Sequence, residues 1–181
     1  MLFRSVTNSN HRRDPSQAVL WVPPPAGKVL INVDASLFAN SMSMAAGVMI
    51  RDHSGSCIAA CCVGSPDVVN PELAEAIAVR TALVFALEEG LENVSVATDC
   101  LSVVQRIVST NLDRSTCGPV IKDIKQLCAS FTACSIYHVR REQNVAAHLL
   151  ARSCNQLVCS VWRGVPPECI REAICNDSLS L

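Results

Sequence analysis

The order of strand-like and helix-like segments constrains the fold of this chain more than any other sequence feature. Three short apolar runs come first, at residues 28–34, 46–51 and 57–63, and the turn RDHSG makes a hairpin of the last two. Helical segments then alternate with the strand-like segments VSVATD and CSIYHVR. This order predicts an α/β fold with a mixed five-stranded sheet, antiparallel in its first three strands, and with helices on both faces.

Local signals mark the ends of helices and of the folded domain. Asn70 and Pro71 are a cap and a first-turn proline for a long helix that ends near Gly90, and Asn144 begins the last helix of the domain. The segment WVPPPAGK opens the domain, because Pro and Gly break regular structure. The 181 residues are therefore divided into a disordered leader at 1–20, one domain at 21–157 and a tail at 158–181.

Composition excludes several classes of protein. Hydrophobic residues make up 50% of the chain and charged residues 17%, which suits a packed core and not a disordered chain. The formal net charge of -1 provides no global basic surface, so any binding to nucleic acid must use local arginines and metal ions. No apolar run reaches the roughly 18 residues of a membrane span, so we expect no membrane contact. The expected state is a monomer.

The cysteines and the first residues bear on location. The eleven cysteines are irregularly spaced and include no C-x-x-C pair, which predicts buried reduced thiols and not a disulfide framework or a zinc site. The start MLFRSVTNSNHRRD contains Arg and Ser but is short, so we favour a disordered leader over an organelle transit peptide. We expect an intracellular protein, in the nucleus or cytoplasm rather than an organelle.

Three carboxylates stand out by their positions. Asp34 and Asp99 each follow a strand pattern, and the crevice of such a sheet lies beyond its strand ends. Glu75 heads a helical row of apolar residues, so it should face the sheet, where a carboxylate needs a cation or a metal as partner. Taken alone, Asp34 also fits a turn residue, and the helix dipole explains Glu72. Convergence of the first three side chains would favour a site over a turn.

Five segments in order resemble the ribonuclease H-like domain, in the form found in plant retrotransposon-derived reverse-transcriptase genes and their domesticated relatives. They are KVLINVDAS, AAGVMIRDHSG, ELAEAIAVRTAL, VSVATDCLSVV and HVRREQNVAAHLLAR. The match is collinear over residues 21–155, and the later segment VPPECIREAICND is similar to the family's usual tail. Each motif alone is weak, but five in order are a strong signal.

The resemblance implies a metal-dependent hydrolase. Family members cut the RNA strand of RNA–DNA hybrids with two magnesium ions held by carboxylates, and hard Mg²⁺ prefers oxygen ligands. By motif position, Asp34 would bridge both metals, Glu75 would hold the metal on the leaving-group side, and Asp99 would share in the cluster. The implied cofactor is Mg²⁺, with Mn²⁺ as the other candidate, and the implied partner is an RNA–DNA hybrid or another nucleic acid.

The chain departs from the catalytic pattern on the last helix. Catalytic members of the wider family carry an Asp four residues after the Asn that corresponds to Asn144, and this chain has His148 there. His148 is either a partly buried helical histidine or a neutral imidazole ligand, which suits Mn²⁺ better than Mg²⁺. VRREQN replaces the loop that supplies a product-release histidine in bacterial relatives. Arg140, Arg141 and Asn144 are candidate nucleic-acid contacts, although two exposed arginines are as often solvated surface.

Three functions remain open. The first is a metal-dependent endoribonuclease acting on RNA–DNA hybrids, favoured by Asp34, Glu75 and Asp99. The second is a degenerate domain that binds nucleic acid or protein without cutting, favoured by His148 and by the lack of a basic surface. A hydrolase of another class is the weakest, because the sequence contains no G-x-S-x-G elbow, P-loop or Cys-His arrangement.

Overall fold

The computed structural model of this protein describes residues 21–154 and 159–178. Its strands are β1 (Val29–Phe38), β2 (Ser43–Arg51), β3 (Cys57–Pro66), β4 (Asn93–Thr98), β5 (Ala133–His138) and β6 (Cys159–Arg163). Its helices are α1 (Pro71–Glu88), α2 (Leu101–Val108), α3 (Gly118–Cys128), α4 (Val145–Ser153) and α5 (Glu168–Ser178), with 3-10 turns at Ala39–Ser41 and Arg141–Gln143.

The strands form one mixed sheet in the order β5-β4-β1-β2-β3-β6. β1, β2 and β3 are antiparallel neighbours, while β4 runs parallel to β1 and to β5. The predicted mixed α/β class is confirmed, but the predicted count of five strands is wrong, because part of the expected tail pairs with β3 as β6. A strand of 5 residues carries too short a pattern to be identified from sequence alone.

Helices cover both faces of the sheet. On one face, α1, α2 and α3 pack with the central strands into the larger core. Its buried members include Ile31, Val33, Val48, Val79 and Leu83. On the other face, α4 and α5 pack over β2 and β3, where Leu150 and Ile170 are fully buried. A layer of helices thus covers each side of the sheet.

The start of α1 fixes the position of Glu75. The side chain of Asn70 accepts a hydrogen bond from the backbone N–H of Leu73 at 2.9 Å, and Pro71 occupies the first turn. Both features agree with the predicted helix start. Glu75 consequently lies one turn into the helix, near the end that meets β1.

Gly47 allows α4 to lie against β2. A Cβ atom at this position would collide with the backbone of α4, at the carbonyl oxygen of Ala147 and the nitrogen of Ala151. Gly47 also pairs with Asp34 in the antiparallel register of β1 and β2. The close approach therefore brings α4, which carries His148, beside Asp34.

One pair of cysteines departs from the expectation of reduced thiols. Cys62 of β3 and Cys154, just after α4, form a disulfide with their Cα atoms 6.0 Å apart, a usual distance. The two residues are separated by 92 positions, so only the packing of α4 on β3 reveals the pair. The other nine cysteines are free and range from buried, as Cys61 is, to exposed, as Cys159 is.

Two predictions lie outside the described residues, namely the disordered leader at 1–20 and the domain boundary between 157 and 158. Residues 159–178 do not hang free of the domain, since β6 extends the sheet and α5 shares a core with α4. Within the described part of the chain, no helix is long and apolar enough to cross a membrane.

Candidate metal centre

Strand pairing brings two of the carboxylates to the same end of the sheet. β1 and β4 are parallel with Asn32 beside Ala97, so Asp34 and Asp99 come two residues later at matching positions. The prediction that Asp34 closes a strand is corrected, because β1 continues to Phe38 alongside β2. Asp34 instead lies where the pairing of β1 with β4 has ended, which leaves its side chain room to meet Asp99.

Glu75 completes the cluster from α1. One ligand oxygen from each of Asp34, Glu75 and Asp99 lies within 4.8 Å of the other two, which is close enough to share a metal ion. The predicted convergence is therefore present in the structure. Glu72 is not part of it, since its carboxylate is paired with Arg106 at 2.9 Å. The helix-face argument thus separated the two glutamates correctly.

Burial and mutual repulsion oppose negative charge in this cluster. Asp34 is 4% exposed, and burial raises its pKa. The negative charge of Asp99 raises this pKa further, while the hydrogen bond from His148 lowers it. Burial, followed by the charges of Asp34 and Asp99, raises the pKa of Glu75 to about 8. Its Oε2 atom is buried with no hydrogen-bond partner among the described residues. A hard divalent cation would compensate these costs, so the oxygen donor set fits Mg²⁺ or Mn²⁺.

His148 contacts the cluster without belonging to the group of three ligand oxygens. Its Nδ1 lies 2.7 Å from Oδ2 of Asp34, and its Nε2 lies 3.0 Å from Nη2 of Arg141. Because a guanidinium only donates, Nε2 accepts this bond, and the ring proton lies on Nδ1 and is donated to Asp34. Both ring nitrogens are thus occupied, so His148 orients Asp34 in this arrangement instead of offering a lone pair to a metal.

The predicted nucleic-acid contacts lie in different environments. Arg140 and Arg141 are exposed just before α4. Asn144 is 1% exposed, and its amide donates to the carbonyl oxygen of Val33 at 2.9 Å and to Oδ1 of Asp99 at 3.1 Å. The prediction is therefore corrected for Asn144, because its amide is used inside the protein and no surface remains for nucleic acid. Its position is that of a residue holding Asp99.

Sequence reasoning missed two residues that support Asn144. Asn32 donates from Nδ2 to Oδ1 of Asn144 at 3.1 Å, and Arg51 donates from Nη2 to Oδ1 of Asn32 at 3.0 Å. A signal existed for Asn32, because a polar residue inside an apolar strand needs an internal partner. Arg51 carried no such signal, since a basic residue between a strand and a turn is ordinarily solvated.

A model of the reverse transcriptase-like family matches residues 32–154. The chain belongs to the reverse transcriptase-like family. The match covers more than half of the chain and includes the cluster formed by Asp34, Glu75 and Asp99, as well as His148. The predicted family resemblance is confirmed, while the plant retrotransposon form of it stays a prediction.

Solved ribonuclease H structures share the fold of this family member. The N-terminal RNase H domain of a Mycobacterium tuberculosis protein has a TM-score of 0.62 at 20% identity, covering 70% of this chain and 91% of that chain. RNase H1 from Halobacterium salinarum has 0.61 at 23% identity, covering 70% and 96%. LC11-RNase H1 from compost, solved in complex with an RNA/DNA hybrid, has 0.61 at 20% identity, covering 70% and 95%.

These likenesses establish an RNase H-like fold. At such identities they say nothing further about the chemistry of this chain. A search of curated proteins finds no match. The function must therefore be argued from the site itself.

Proposed function

We propose that this protein is a metal-dependent endoribonuclease that hydrolyses the RNA strand of RNA–DNA hybrids. The observation that carries the proposal is the convergence of Asp34, Glu75 and Asp99, with their ligand oxygens within 4.8 Å of one another. The buried Oε2 atom of Glu75, which has no hydrogen-bond partner among the described residues, supports it, because a bound cation would compensate for the burial of this carboxylate. The RNase H-like fold of the family member is consistent with it.

Each residue of the cluster has a separate task in this proposal. Asp34, held by His148, would present its second oxygen to metal, and Glu75 and Asp99 would each contribute a further oxygen ligand. Divalent ions bound there would polarise the scissile phosphate and lower the pKa of the attacking water. Asn144 keeps Asp99 in place through its bond to Oδ1 at 3.1 Å. The family resemblance implies Mg²⁺ as the cofactor, and Mn²⁺ is the other candidate.

His148 tunes this centre through Asp34. The bond between Nδ1 and Oδ2, 2.7 Å long, occupies one oxygen of Asp34 with a donor and adds no negative charge to the site. Magnesium should therefore bind more weakly than to four carboxylates, and Mn²⁺, which accepts nitrogen more readily, should be favoured where a ring nitrogen of His148 is freed to bind it. His148 would become a ligand itself only if one ring nitrogen gave up its present partner.

The substrate class follows from what the surface offers. Arg140 and Arg141 are exposed just before α4, where Arg141 contacts His148, and they are the proposed phosphate contacts. Recognition of a hybrid would use the 2′-hydroxyls of its minor groove without reading base sequence. Because the chain has a formal net charge of -1, we expect weak affinity that falls as salt is added.

The test is a cleavage assay with a panel of labelled substrates. Wild-type protein is incubated with an RNA–DNA hybrid, duplex RNA, duplex DNA and single-stranded DNA, each in Mg²⁺, in Mn²⁺ and in EDTA. We expect cuts within the RNA strand of the hybrid alone, in Mn²⁺ at least, and none in EDTA. Cleavage of single-stranded DNA, or no cleavage by folded protein in either metal, would contradict the proposal.

A second candidate function is a binding module without catalysis. The observation that favours it is the pairing of His148 with Asp34, which places an imidazole where an acidic residue would strengthen metal binding. Binding of the hybrid that is equally tight in Mn²⁺ and in EDTA, with no cleavage, would favour this candidate. A lack of hybrid binding would turn attention to a protein partner.

Three further proposals rest on sequence motifs and composition. The five family motifs favour a plant, retrotransposon-derived lineage, and the nine cysteines outside the Cys62–Cys154 pair favour an intracellular protein. A monomer remains the proposed state. Light scattering of the purified chain would test the last of these directly.

A further inference from the structure

A series of buried and partly buried hydrogen bonds links the C-terminal helix to the candidate metal centre. Arg51 donates from Nη1 to Oδ2 of Asp177 on α5 at 2.6 Å, and from Nη2 to Oδ1 of Asn32 at 3.0 Å. Asn32 donates to Oδ1 of Asn144 at 3.1 Å, and Asn144 donates to Oδ1 of Asp99 at 3.1 Å. The Arg51 network, defined as these five residues, thus runs from Asp177 to a proposed metal ligand.

Groups at the two ends fix the direction of each bond. Arg51 and the indole of Trp21 can only donate, and both donate to Oδ1 of Asn32 at 3.0 Å. The NH₂ group of Asn32 must therefore face Asn144, whose oxygen accepts it. The NH₂ group of Asn144 is then left to face Asp99. Turning either amide over would set donors against donors inside the core.

Arg51 is buried deeply enough to need a permanent counter-ion. It is 1% exposed, its Cζ lies 3.5 Å from the ring centroid of Trp21, and its Nε has no hydrogen-bond partner among the described residues. Asp177 is its ion-pair partner, with a side chain 17% exposed. A buried guanidinium that loses its carboxylate is left uncompensated and tends to move toward water. Such a movement would withdraw the donor that orients Asn32.

We propose that Asp177 is a positioning residue for the metal centre, because it holds Arg51 at the start of the Arg51 network. Every hydrogen bond from Arg51 onward donates toward Asp99, where the network ends. Asp177 lies on the C-terminal helix, outside the residues 32–154 that the family model matches, so support for the site extends beyond the matched segment. The proposal rests on the proposed function only where it calls the cluster a metal centre. The Arg51 network itself exists without metal.

The test measures metal affinity and the Arg51 network separately. Asp177→Asn keeps an acceptor oxygen and loses the charge, and Asp177→Ala loses both. Glu172→Ala, at an exposed position of the same helix, is the control. For each folded protein, well below its unfolding temperature, the Mn²⁺ dissociation constant is measured by calorimetry. Solvent exchange of the Asn144 side-chain amide protons is measured by NMR without metal.

We expect faster exchange of the Asn144 amide in both Asp177 variants, with Mn²⁺ binding weakened about threefold in Asp177→Asn and about tenfold in Asp177→Ala. The control should change neither. If Asp177→Ala does not fold, Asp177→Asn alone decides. Unchanged exchange overturns the proposal whatever the affinity does, and so does unchanged affinity. If wild-type protein binds no Mn²⁺, the proposed function fails, and the exchange rates alone then sustain or overturn the role of Asp177 in the Arg51 network.

Discussion

The carboxylate cluster and the Arg51 network lie side by side and differ in how their polar groups are satisfied. In the network, the oxygens and NH₂ groups of Asn32 and Asn144 all have partners, and Asp177 neutralises Arg51. In the cluster, three acidic groups crowd within 4.8 Å, and Oε2 of Glu75 has no partner among the described residues. Asp99 belongs to both, and Asn144 of the network donates a hydrogen bond to it.

The difference shows which buried polar groups stabilise the fold and which are kept at a cost to stability. Buried polar groups in a stable core are hydrogen-bonded, and the network obeys this rule almost completely. The cluster breaks the rule, and its raised pKa values show that the fold holds it against its own electrostatics. A site that is costly for folding and rigidly held is the expected form of a metal centre.

The largest effect is expected from Asp34→Asn. Loss of the central carboxylate should reduce hybrid cleavage by about a thousandfold, or about 4 kcal/mol in the barrier. Thermal stability without metal should stay equal or rise, because repulsion with Asp99 and Glu75 is relieved. Initial cleavage rates and melting temperatures, compared with those of wild type, check the expected loss of activity and the expected equal or higher stability. Loss of activity together with loss of folding would make Asp34 a structural residue.

Gly47→Ala should push α4 away from the sheet. A Cβ atom would meet the α4 backbone at Ala147 and Ala151, so α4 must move away from β2 and carry His148 with it. We expect a loss of about 2–3 kcal/mol in the free energy of unfolding, measured by denaturant titration. Gly47→Ser should be worse. Stability equal to wild type in both would show that α4 is not fitted to β2 at this point.

The pH dependence of stability should reveal Glu75. Its folded pKa of about 8 exceeds the ordinary 4.5, so between these values the unfolded chain has released a proton that the folded protein retains. Stability without metal is then full below about pH 4.5 and falls as pH rises toward 8, by at most about 1.4 kcal/mol for each pH unit.

Glu75→Gln should flatten this decline, while Glu72→Gln should leave it intact. Denaturant titrations across the range, with EDTA present, provide the comparison. A decline of equal size in all three proteins would assign it to other groups.

His148→Asp should restore the missing negative charge. We expect magnesium-dependent cleavage to rise about tenfold, which corresponds to about 1.4 kcal/mol, and the preference for Mn²⁺ to narrow. His53→Asp, in an exposed turn, is the matched control and should change nothing. Strong magnesium activity in wild type with no gain on substitution would show that His148 does not limit the centre.

The smallest effect is expected from Glu72→Gln. The carboxylate pairs with Arg106 at 2.9 Å near the start of α1, and such a partly exposed pair at a helix end contributes at most about 1 kcal/mol. The free energy of unfolding should fall slightly, and the rate of hybrid cleavage should not change. If Glu72 proved essential and Glu75 dispensable, the assignment of the two glutamates would be reversed.

The sequence predicted the parts of the molecule whose signals are local. The strand runs, the Asn70 cap and the apolar row behind Glu75 depend on near neighbours, and each has its counterpart in the structure. Asp34 and Asp99 could be assigned because a strand pattern precedes each of them.

What escaped prediction depends on contacts between distant residues. β6 becomes a strand only beside β3, and Cys62 meets Cys154 only after α4 has packed. Arg51 ends a predicted strand and begins the turn RDHSG, and nothing near it in sequence indicates Asp177, which lies 126 positions away. The surroundings of His148 could not be foreseen for the same reason.

The most direct test of the metal centre is anomalous diffraction from crystals soaked in Mn²⁺ at neutral pH. We expect a manganese peak among Asp34, Glu75 and Asp99, within about 2.0–2.6 Å of an oxygen from each carboxylate. Crystals of Asp34→Asn, soaked in parallel, should show a weaker peak or none. A wild-type map without manganese at the cluster, with Asp34 still bonded to His148, would contradict the assignment.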